Sequence, residues 1–220
     1  MLANPEVWTM IFKGSWATIY MTLISTVLAY VIGLPLGIIL VVTDKKGIHP
    51  IRPLNLILNI IVNIMRSIPF LILMIAIIPF TRAVVGSAIG EKATIVALVV
   101  SAAPFIARMV ESSLKEVDAG VIEAAQSMGA STMQIISRVF LSEALPSLIN
   151  GAAISITTIL GYSAMAGIVG GTGLGAIAIN YGYHRYKGDV MWVCVAFLVI
   201  IVQVLQEIGM WFARKSDKRI

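Results

Sequence analysis

The sequence predicts an all-α integral membrane protein with five transmembrane helices and one polar hairpin. The chain has 220 residues, of which 59% are hydrophobic and 12% are charged, a balance too apolar for a soluble domain. A helix needs about 20 apolar residues to cross a bilayer core about 30 Å thick. Five stretches meet this length, at about 16–42, 54–80, 93–110, 146–170 and 190–212. We therefore expect a single transmembrane domain over residues 1–220.

Residues 1–16 lack a basic start and a small-residue cleavage site, so no cleavable signal peptide is expected. The lone cysteine, Cys194, falls in the last predicted span, which excludes an intrachain disulfide. The net charge of +5 comes from basic loops that flank apolar segments. We therefore expect a lipid bilayer, and no nucleic acid, to surround this chain.

Basic residues predict the orientation, because loops rich in Lys and Arg stay in the cytoplasm. With five spans, one side collects ten basic residues and the other collects five. The richer side holds Lys45, Lys46, Arg52, Arg108, Lys115, Arg138, Arg214, Lys215, Lys218 and Arg219. This predicts an external N-terminus, a cytoplasmic C-terminus and a cytoplasmic loop over about 111–145.

The sequence of the loop at 111–145 predicts two short amphipathic helices. Asp118 is a candidate N-cap, and Gly129 stands where a helix would end in a left-handed residue. Ser131 and Gln134 have the spacing of a capping box that starts the second helix. One apolar stripe follows helical spacing in each helix: Val117, Val121, Ala124, Ala125 and Met128, then Met133, Ile136, Val139 and Phe140. The stripes allow a hairpin lying on the bilayer, but the few basic residues favour a protein partner.

This hairpin resembles the cytoplasmic loop of the permease subunits of bacterial ABC importers. The resemblance lies in Glu123, Ala124, Ala125 and Gly129, followed by Val139 and Leu141. Ser142 stands where the family usually has proline, and we expect it to N-cap the next helix. The resemblance implies a type I ABC importer permease-like fold whose coupling hairpin sits on a separate ATP-hydrolysing subunit.

A narrower resemblance, to methionine importer permeases, extends over most of the chain. It is carried by residues 66–70, 78–82, 103–111, 161–167 and 170–175, in that order. It implies a homodimer in the bacterial inner membrane, two ATPase subunits, an external substrate-binding protein and methionine as cargo. Another amino acid or a small peptide stays open as cargo. The chain has no Gly-x4-Gly-Lys-Ser/Thr loop, so it is expected to bind no cofactor itself, with ATP and Mg²⁺ on the partner ATPase.

Polar residues of the second span lie along one helix face. Asn55, Asn59 and Asn63 recur every four residues, and Arg66 follows three later. For the asparagines we favour bonding between helices or at the interface over contact with substrate. For Arg66, a structural ion pair and a charge in the pathway are equally open. Prolines at 69, 79 and 104 should bend their helices.

Small residues suggest where backbones approach closely. Gly33 and Gly37 in the first span are expected to serve helix packing. For Gly167 and Gly170, packing and a place near the pathway are equally open, and Met165 is a further candidate for the pathway or its gate.

The alternative from another class is a self-sufficient secondary carrier or channel. A coupled carrier usually needs an acidic residue deep in the membrane and often an internal repeat. Only Glu207 lies inside a predicted span, near its cytoplasmic end, and five spans do not divide into equal halves. His49 and His184 have no ligand-forming neighbours, and no nucleophile is set beside a base, so we expect no enzyme activity.

Overall fold

The computed structural model describes residues 4–216, which fold as helices joined by turns and confirm the all-α prediction. Within this range four helices are long and apolar enough to cross a membrane, and one bent pair is a fifth candidate. The helices are α1 (Pro5–Val42), α2 (Arg52–Ser67), α3 (Phe70–Ala76), α4 (Ile78–Val85), α5 (Glu91–Lys115), α6 (Ala119–Ser127), α7 (Thr132–Gln134), α8 (Leu141–Glu143), α9 (Leu145–Ala166), α10 (Leu174–Ile177) and α11 (Gly188–Ser216). Ile135–Phe140 and Ala178–Tyr183 are π-helical, and Gly167–Val169 is a 3-10 turn.

Helix α1 begins at Pro5, ahead of the start at residue 16 that the apolar run indicated. The Asn4 side chain accepts a hydrogen bond from the Glu6 N–H at 2.9 Å. Pro5 suits the first helical position, because its missing N–H would have no partner there. The 38 residues of α1 rise roughly 57 Å at about 1.5 Å each, so the helix extends beyond the bilayer core.

The buried face of α1 is rich in small residues and hydroxyls, and many large apolar side chains lie on its exposed face. The buried residues include Gly14, Ala17, Thr18, Thr22, Ser25, Thr26, Ala29, Gly33 and Gly37. Lipid is as apolar as a leucine side chain, so helices in a bilayer associate through close packing, which small residues permit. Helix α1 accordingly packs along α5.

Two glycines give the closest approach of α1 to α5. A Cβ atom added at Gly37 would lie 2.7 Å from the Ala107 carbonyl oxygen. One added at Gly33 would lie 2.9 Å from the Ala103 carbonyl oxygen. The packing role predicted for these glycines is confirmed.

The segment 54–80, expected as one span, is divided among three helices. Helix α2 ends at Ser67, and α3 leaves it at 103°. Ile68 is extended, with φ −81° and ψ 124°, because the following Pro69 disfavours a helical conformation before it. Pro79 lies in the first turn of α4, whereas Pro104 lies inside α5 without ending it.

Two apolar clusters form the interior. The larger one surrounds α5 and joins it to α1, α3, α9 and the hairpin. The smaller one joins the start of α1 to α10 and α11 through Val7, Ile11, Leu174, Ala178, Val190 and Cys194. We call the end of the bundle where α1 and α5 finish the hairpin end, and the end with the smaller cluster the far end.

Large apolar side chains cover the outside of the bundle. Helix α11 buries only Val190 and Cys194 and leaves its other apolar residues partly or fully exposed. Trp16 and Trp192 are 72% and 73% exposed, as expected for residues that face lipid at an interface. The exposed surface therefore suits a bilayer.

Candidate functional site

The hairpin starts directly after α5 and follows local capping rules. The Asp118 side chain accepts a hydrogen bond from the Gly120 N–H at 2.7 Å, which begins α6. Gly129 has φ +80°, and the Ala130 N–H returns to the Ala125 carbonyl at 3.0 Å. The predicted N-cap at Asp118 and the left-handed end at Gly129 are both confirmed.

The second half of the hairpin begins with the predicted capping box. The Ser131 N–H donates to the Gln134 side chain at 2.8 Å, and the Gln134 N–H donates to the Ser131 hydroxyl at 3.4 Å. Helix α7 then continues through the π-helical turn into α8. The cap predicted at Ser142 is wrong: Ser142 lies inside α8, and Ala144 is the N-cap residue of α9. Pro146, in the first turn of α9, decides where that helix starts.

The apolar stripe predicted for the first hairpin helix is split between two environments. Val117 and Ala125 are buried against the larger cluster. Val121 and Met128 stay 42% and 81% exposed, and Met133 of α7 is 70% exposed. The buried part of the stripe thus attaches the hairpin to the bundle. The exposed part is not covered by any other segment of the described residues.

The residues that carry the family signature also fall into an exposed group and a group packed toward the core. Those on the outside are Glu123, Ala124 and Gly129. Those packed toward the core are Ala125, Val139 and Leu141. No hydrogen bond or ion pair of Glu123 occurs within the described residues, so its carboxylate is available to another molecule.

A cleft separates the hairpin from the loop between α1 and α2. Its volume is about 480 Å³, and the residues that line it include Asp44, Lys115, Glu123 and Gln126. The hairpin is therefore joined to the bundle at its base and stands apart from the 43–51 loop above it.

An ionic cluster at the hairpin end was not predicted from the sequence. Lys115 donates to Glu111 at 2.8 Å and lies 3.0 Å from Asp44, and Arg108 pairs with the other Glu111 oxygen. The Glu111 side chain is only 8% exposed, so its charge depends on these two cations. The Lys115 ammonium, which donates to Asp44, holds the pKa of that carboxyl below its ordinary value. The spacing of Arg108, Glu111 and Lys115 by three and four residues was the available signal.

The asparagine face of α2 joins this cluster. Arg108 Nη2 donates to the Asn59 and Asn63 side-chain oxygens at 2.6 and 2.9 Å. Asn59 donates to Asn55, which donates in turn to the Leu40 carbonyl at 2.8 Å. The predicted bonding between helices is confirmed for these asparagines.

The candidate pathway residues lie in different settings. Arg66 is exposed at the end of α2, and no hydrogen bond or ion pair of its side chain occurs in residues 4–216. Met165 is 47% exposed in the last turn of α9. The Phe70 and Tyr162 rings stack with centroids 4.8 Å apart, which holds α3 against α9.

The two glycines beyond Met165 have packing roles. A Cβ at Gly167 would lie 2.5 Å from the Ala176 nitrogen, so a side chain there would collide with the backbone of α10. Gly170 has φ +85°, and its carbonyl accepts a hydrogen bond from the Gly90 N–H at 3.0 Å. These contacts account for both glycines and do not exclude a nearby pathway.

The family described as "Binding-protein-dependent transport system inner membrane component" matches residues 33–220. The chain belongs to this family. The match includes the whole hairpin and α2 to α11, so the sequence-based recognition of an importer permease and of its fold class is confirmed.

Named relatives agree with this assignment. The chain is 49% identical to the probable D-methionine transport system permease protein MetI of Vibrio cholerae, over 96% of this chain and 93% of that protein. It is 50% identical to the D-methionine transport system permease protein MetI of Escherichia coli K12, over 76% of each chain.

Solved structures show the same fold. A structure described as inward facing conformations of the MetNI methionine ABC transporter superposes with a TM-score of 0.96. That match has 46% sequence identity and covers 98% of this chain and 100% of the other. An amino acid ABC transporter at 18% identity superposes with a TM-score of 0.79 and shows the fold alone. A self-sufficient carrier is not favoured by these findings, because the permease works as one component of a transport system.

Proposed function

We propose that this permease forms the membrane pathway of an ATP-driven importer of methionine. The observation that carries the proposal is the hairpin tip, where Glu123, Met128, Gly129 and Met133 remain uncovered although the hairpin base is packed. An exposed apolar patch with one free carboxylate is typical of a protein-docking surface. Methionine as the cargo is supported by the names of the relatives, which resemble this chain over nearly its full length.

The proposed assembly is a homodimer with two ATPase subunits below it and a substrate-binding protein above it. Helix α2 buries only Val62 and leaves a row of exposed apolar residues, including Leu56, Ile60 and Ile64. A second copy and the surrounding lipid would cover such a surface. The hairpin end and the C-terminus face the cytoplasm in this arrangement, and the N-terminus lies outside.

ATP and Mg²⁺ bind only to the ATPase subunits in this proposal. When those subunits close on ATP, they push the two hairpins together. Ala125, Val139 and Leu141 fasten each hairpin to the larger apolar cluster, so the displacement reaches the membrane helices. The pathway then changes from inward-open to outward-open, and ATP hydrolysis returns it to the inward-open state.

We place Arg66 and Met165 along or beside the pathway, with Gly167 and Gly170 shaping the far-end loop. A charge facing lipid at mid-bilayer costs at least roughly 2.5–3.5 kcal/mol, which favours water or a partner helix around Arg66. A guanidinium also suits the carboxylate of an amino acid. Met165 offers an apolar side chain of the same kind as the cargo.

Uptake of labelled methionine in cells that lack this permease tests the function. We expect the restored gene to give energy-dependent uptake that excess unlabelled methionine abolishes. Excess leucine and excess alanine serve as competitors that should not abolish it. Uptake that stays at the level of the deletion strain, in cells without a second methionine system, would overturn methionine as cargo.

Copurification of the ATPase subunit tests the docking surface separately. Gly129→Val places a β-branched residue at φ +80°, which only glycine adopts without strain. We expect less ATPase in the purified complex and an unchanged amount of permease in the membrane. Gly161→Val is the control, because Gly161 is exposed in α9 and has no atom within 4 Å of an added Cβ. Equal ATPase recovery from both variants would argue against the hairpin as the docking element.

A further inference from the structure

We infer that Arg108 is the positioning residue that fastens α2 to α5, so that a displacement of the hairpin reaches the bend at Pro69. This inference rests on the proposed function, because it assigns the route by which the hairpin acts on the pathway. It concerns residues outside the hairpin signature and outside the candidate pathway residues.

Helix α2 has little apolar attachment of its own. Of its 16 residues only Val62 is buried. Its asparagine face, by contrast, makes a continuous set of hydrogen bonds to α1 and α5. The position of α2 therefore depends on polar contacts more than on core packing.

Arg108 supplies the strongest of these contacts. One terminal nitrogen of its guanidinium donates to both Asn59 and Asn63, and the other pairs with Glu111. Hydrogen bonds with one charged partner are roughly twice as strong as neutral ones. The planar guanidinium holds its donors in fixed directions, so the orientation set by Glu111 also sets the positions of the two asparagines. A lysine at 108 would keep the charge and lose this geometry.

The same cluster is continuous with the hairpin. Lys115 is the last residue of α5 and lies three positions before Asp118, the N-cap of α6. It binds Glu111 at 2.8 Å and approaches Asp44 at 3.0 Å. A force on α6 thus acts on the end of α5, then on Glu111 and Arg108, and through them on α2.

Helix α2 delivers the displacement to the bend. Asn63 lies one turn before Ser67, where α2 ends. The 103° bend follows at once, with Arg66 exposed beside it. Any shift of Asn63 therefore moves Arg66, which lies in the same helix, and acts on the bend at Pro69 that leads into α3.

Transport by the assembled complex in liposomes, with its ATPase subunits and binding protein, tests the inference. Methionine uptake and ATP hydrolysis are measured together, so that uptake per ATP can be compared. We expect Arg108→Gln to lower uptake per ATP about tenfold, equivalent to about 1.4 kcal/mol of coupling free energy, with the ATPase still bound. Arg52→Gln is the matched control, since Arg52 is an exposed cation in the first turn of α2, the helix that Arg108 contacts.

Two further variants, Arg108→Lys alone and Arg108→Lys combined with Asn59→Asp, keep the inference testable if Arg108→Gln folds poorly. Arg108→Lys should also lower uptake per ATP, because one ammonium cannot keep both asparagine contacts and the Glu111 pair in place. Adding Asn59→Asp to Arg108→Lys gives that ammonium an ionic partner on α2. We expect the double variant to recover part of the lost uptake per ATP. A purely structural defect would show no such recovery.

Spin labels report the movement itself. Ser67 and Ser112 are exposed near the ends of α2 and α5. Ser67→Cys and Ser112→Cys, in a Cys194→Ala background, would supply the two thiols for the labels. In dimers with only one labelled copy, we expect one narrow distance distribution with and without ATP when Arg108 is present, since the two helices of that copy move together. In Arg108→Gln the distribution should broaden or shift when ATP binds.

The outcomes separate this inference from the proposed function. If the unmodified complex imports no methionine, the proposed function fails first. If the unmodified complex imports methionine and the Arg108 variants keep the same uptake per ATP, the inference alone is overturned. A spin-label distribution unaffected by Arg108→Gln would overturn it as well.

Discussion

Replacing Gly37 by alanine should weaken the contact between α1 and α5 that organises the bundle. The added Cβ would lie 2.6 Å from the Val110 Cβ and 2.7 Å from the Ala107 carbonyl oxygen. Neither neighbour can swing away, because a Cβ and a backbone oxygen move only with their helix. The two helices must separate for the alanine to fit.

The size of that separation follows from the contact distances. Carbon–oxygen contacts of this kind begin at about 3.3 Å, and carbon–carbon contacts at about 3.5 Å. From the two distances at Gly37, α1 and α5 must part locally by roughly 0.6–0.9 Å. Gaps of about 0.5–1 Å already remove a quarter to a half of the dispersion attraction across an interface. Overpacked sites typically lose about 1–3 kcal/mol. For a chain of this size each kcal/mol lowers the unfolding midpoint by about 2–4 °C, which predicts a drop of about 2–12 °C.

The single cysteine offers the assay. Cys194 is fully buried in the smaller apolar cluster, so a thiol-reactive dye reaches it only as the bundle opens. Heating the detergent-solubilised permease with the dye at one fixed rate gives the midpoint for each variant. Gly161→Ala makes the same chemical change inside α9, where the added Cβ meets nothing within 4 Å. We expect its midpoint to stay level or rise slightly, because alanine favours a helix over glycine. Equal midpoints for Gly37→Ala and Gly161→Ala would refute the steric reasoning.

Two further predictions concern hydrogen bonds and charge. Thr18→Val removes the hydroxyl that accepts the buried Leu174 N–H at 2.9 Å, so the dye midpoint should fall by an amount equivalent to about 1–3 kcal/mol. Thr9→Val, an exposed hydroxyl lost from the same helix, is its control, and an equal fall in both would contradict the prediction. Because Lys115 lowers the pKa of Asp44 from 3.8, the ion pair stabilises the fold above that pH and is lost as the pH falls through the lowered pKa. The midpoint difference between the unmodified permease and Asp44→Asn should therefore be present at neutral pH and shrink below 3.8, and a difference independent of pH would contradict this.

The hairpin was predictable in detail because its structure follows short-range rules. The Asp118 cap, the Ser131 capping box and the left-handed Gly129 each depend on residues no more than five positions apart. The N-cap prediction for Ser142 was wrong, because Ser142 lies inside α8 and Pro146 sets the start of the next helix. The sequence could not show which residues of the apolar stripe would pack against the bundle and which would stay exposed, since both sets follow the same helical spacing.

The second membrane segment shows the limit of the apolar pattern. Composition alone cannot distinguish one long span from a helix broken by 103° at Pro69, because both bury the same residues in lipid. The spacing of Asn55, Asn59 and Asn63 indicated a bonded face. It did not indicate that the partner would be Arg108, 45 residues beyond Asn63 along the chain.

The sequence by itself determined the class of the protein, its all-helical fold, the hairpin and its caps, and the importer permease family. These depend on hydrophobic length, helical period and local hydrogen bonding, which are properties of neighbouring residues. Only the tertiary structure decided that Arg108 joins the asparagine face of α2 to the ionic cluster of Glu111, Lys115 and Asp44. The physical reason is that these contacts depend on how helices distant in sequence are placed, and that placement is set by packing as close as Gly37 against Ala107.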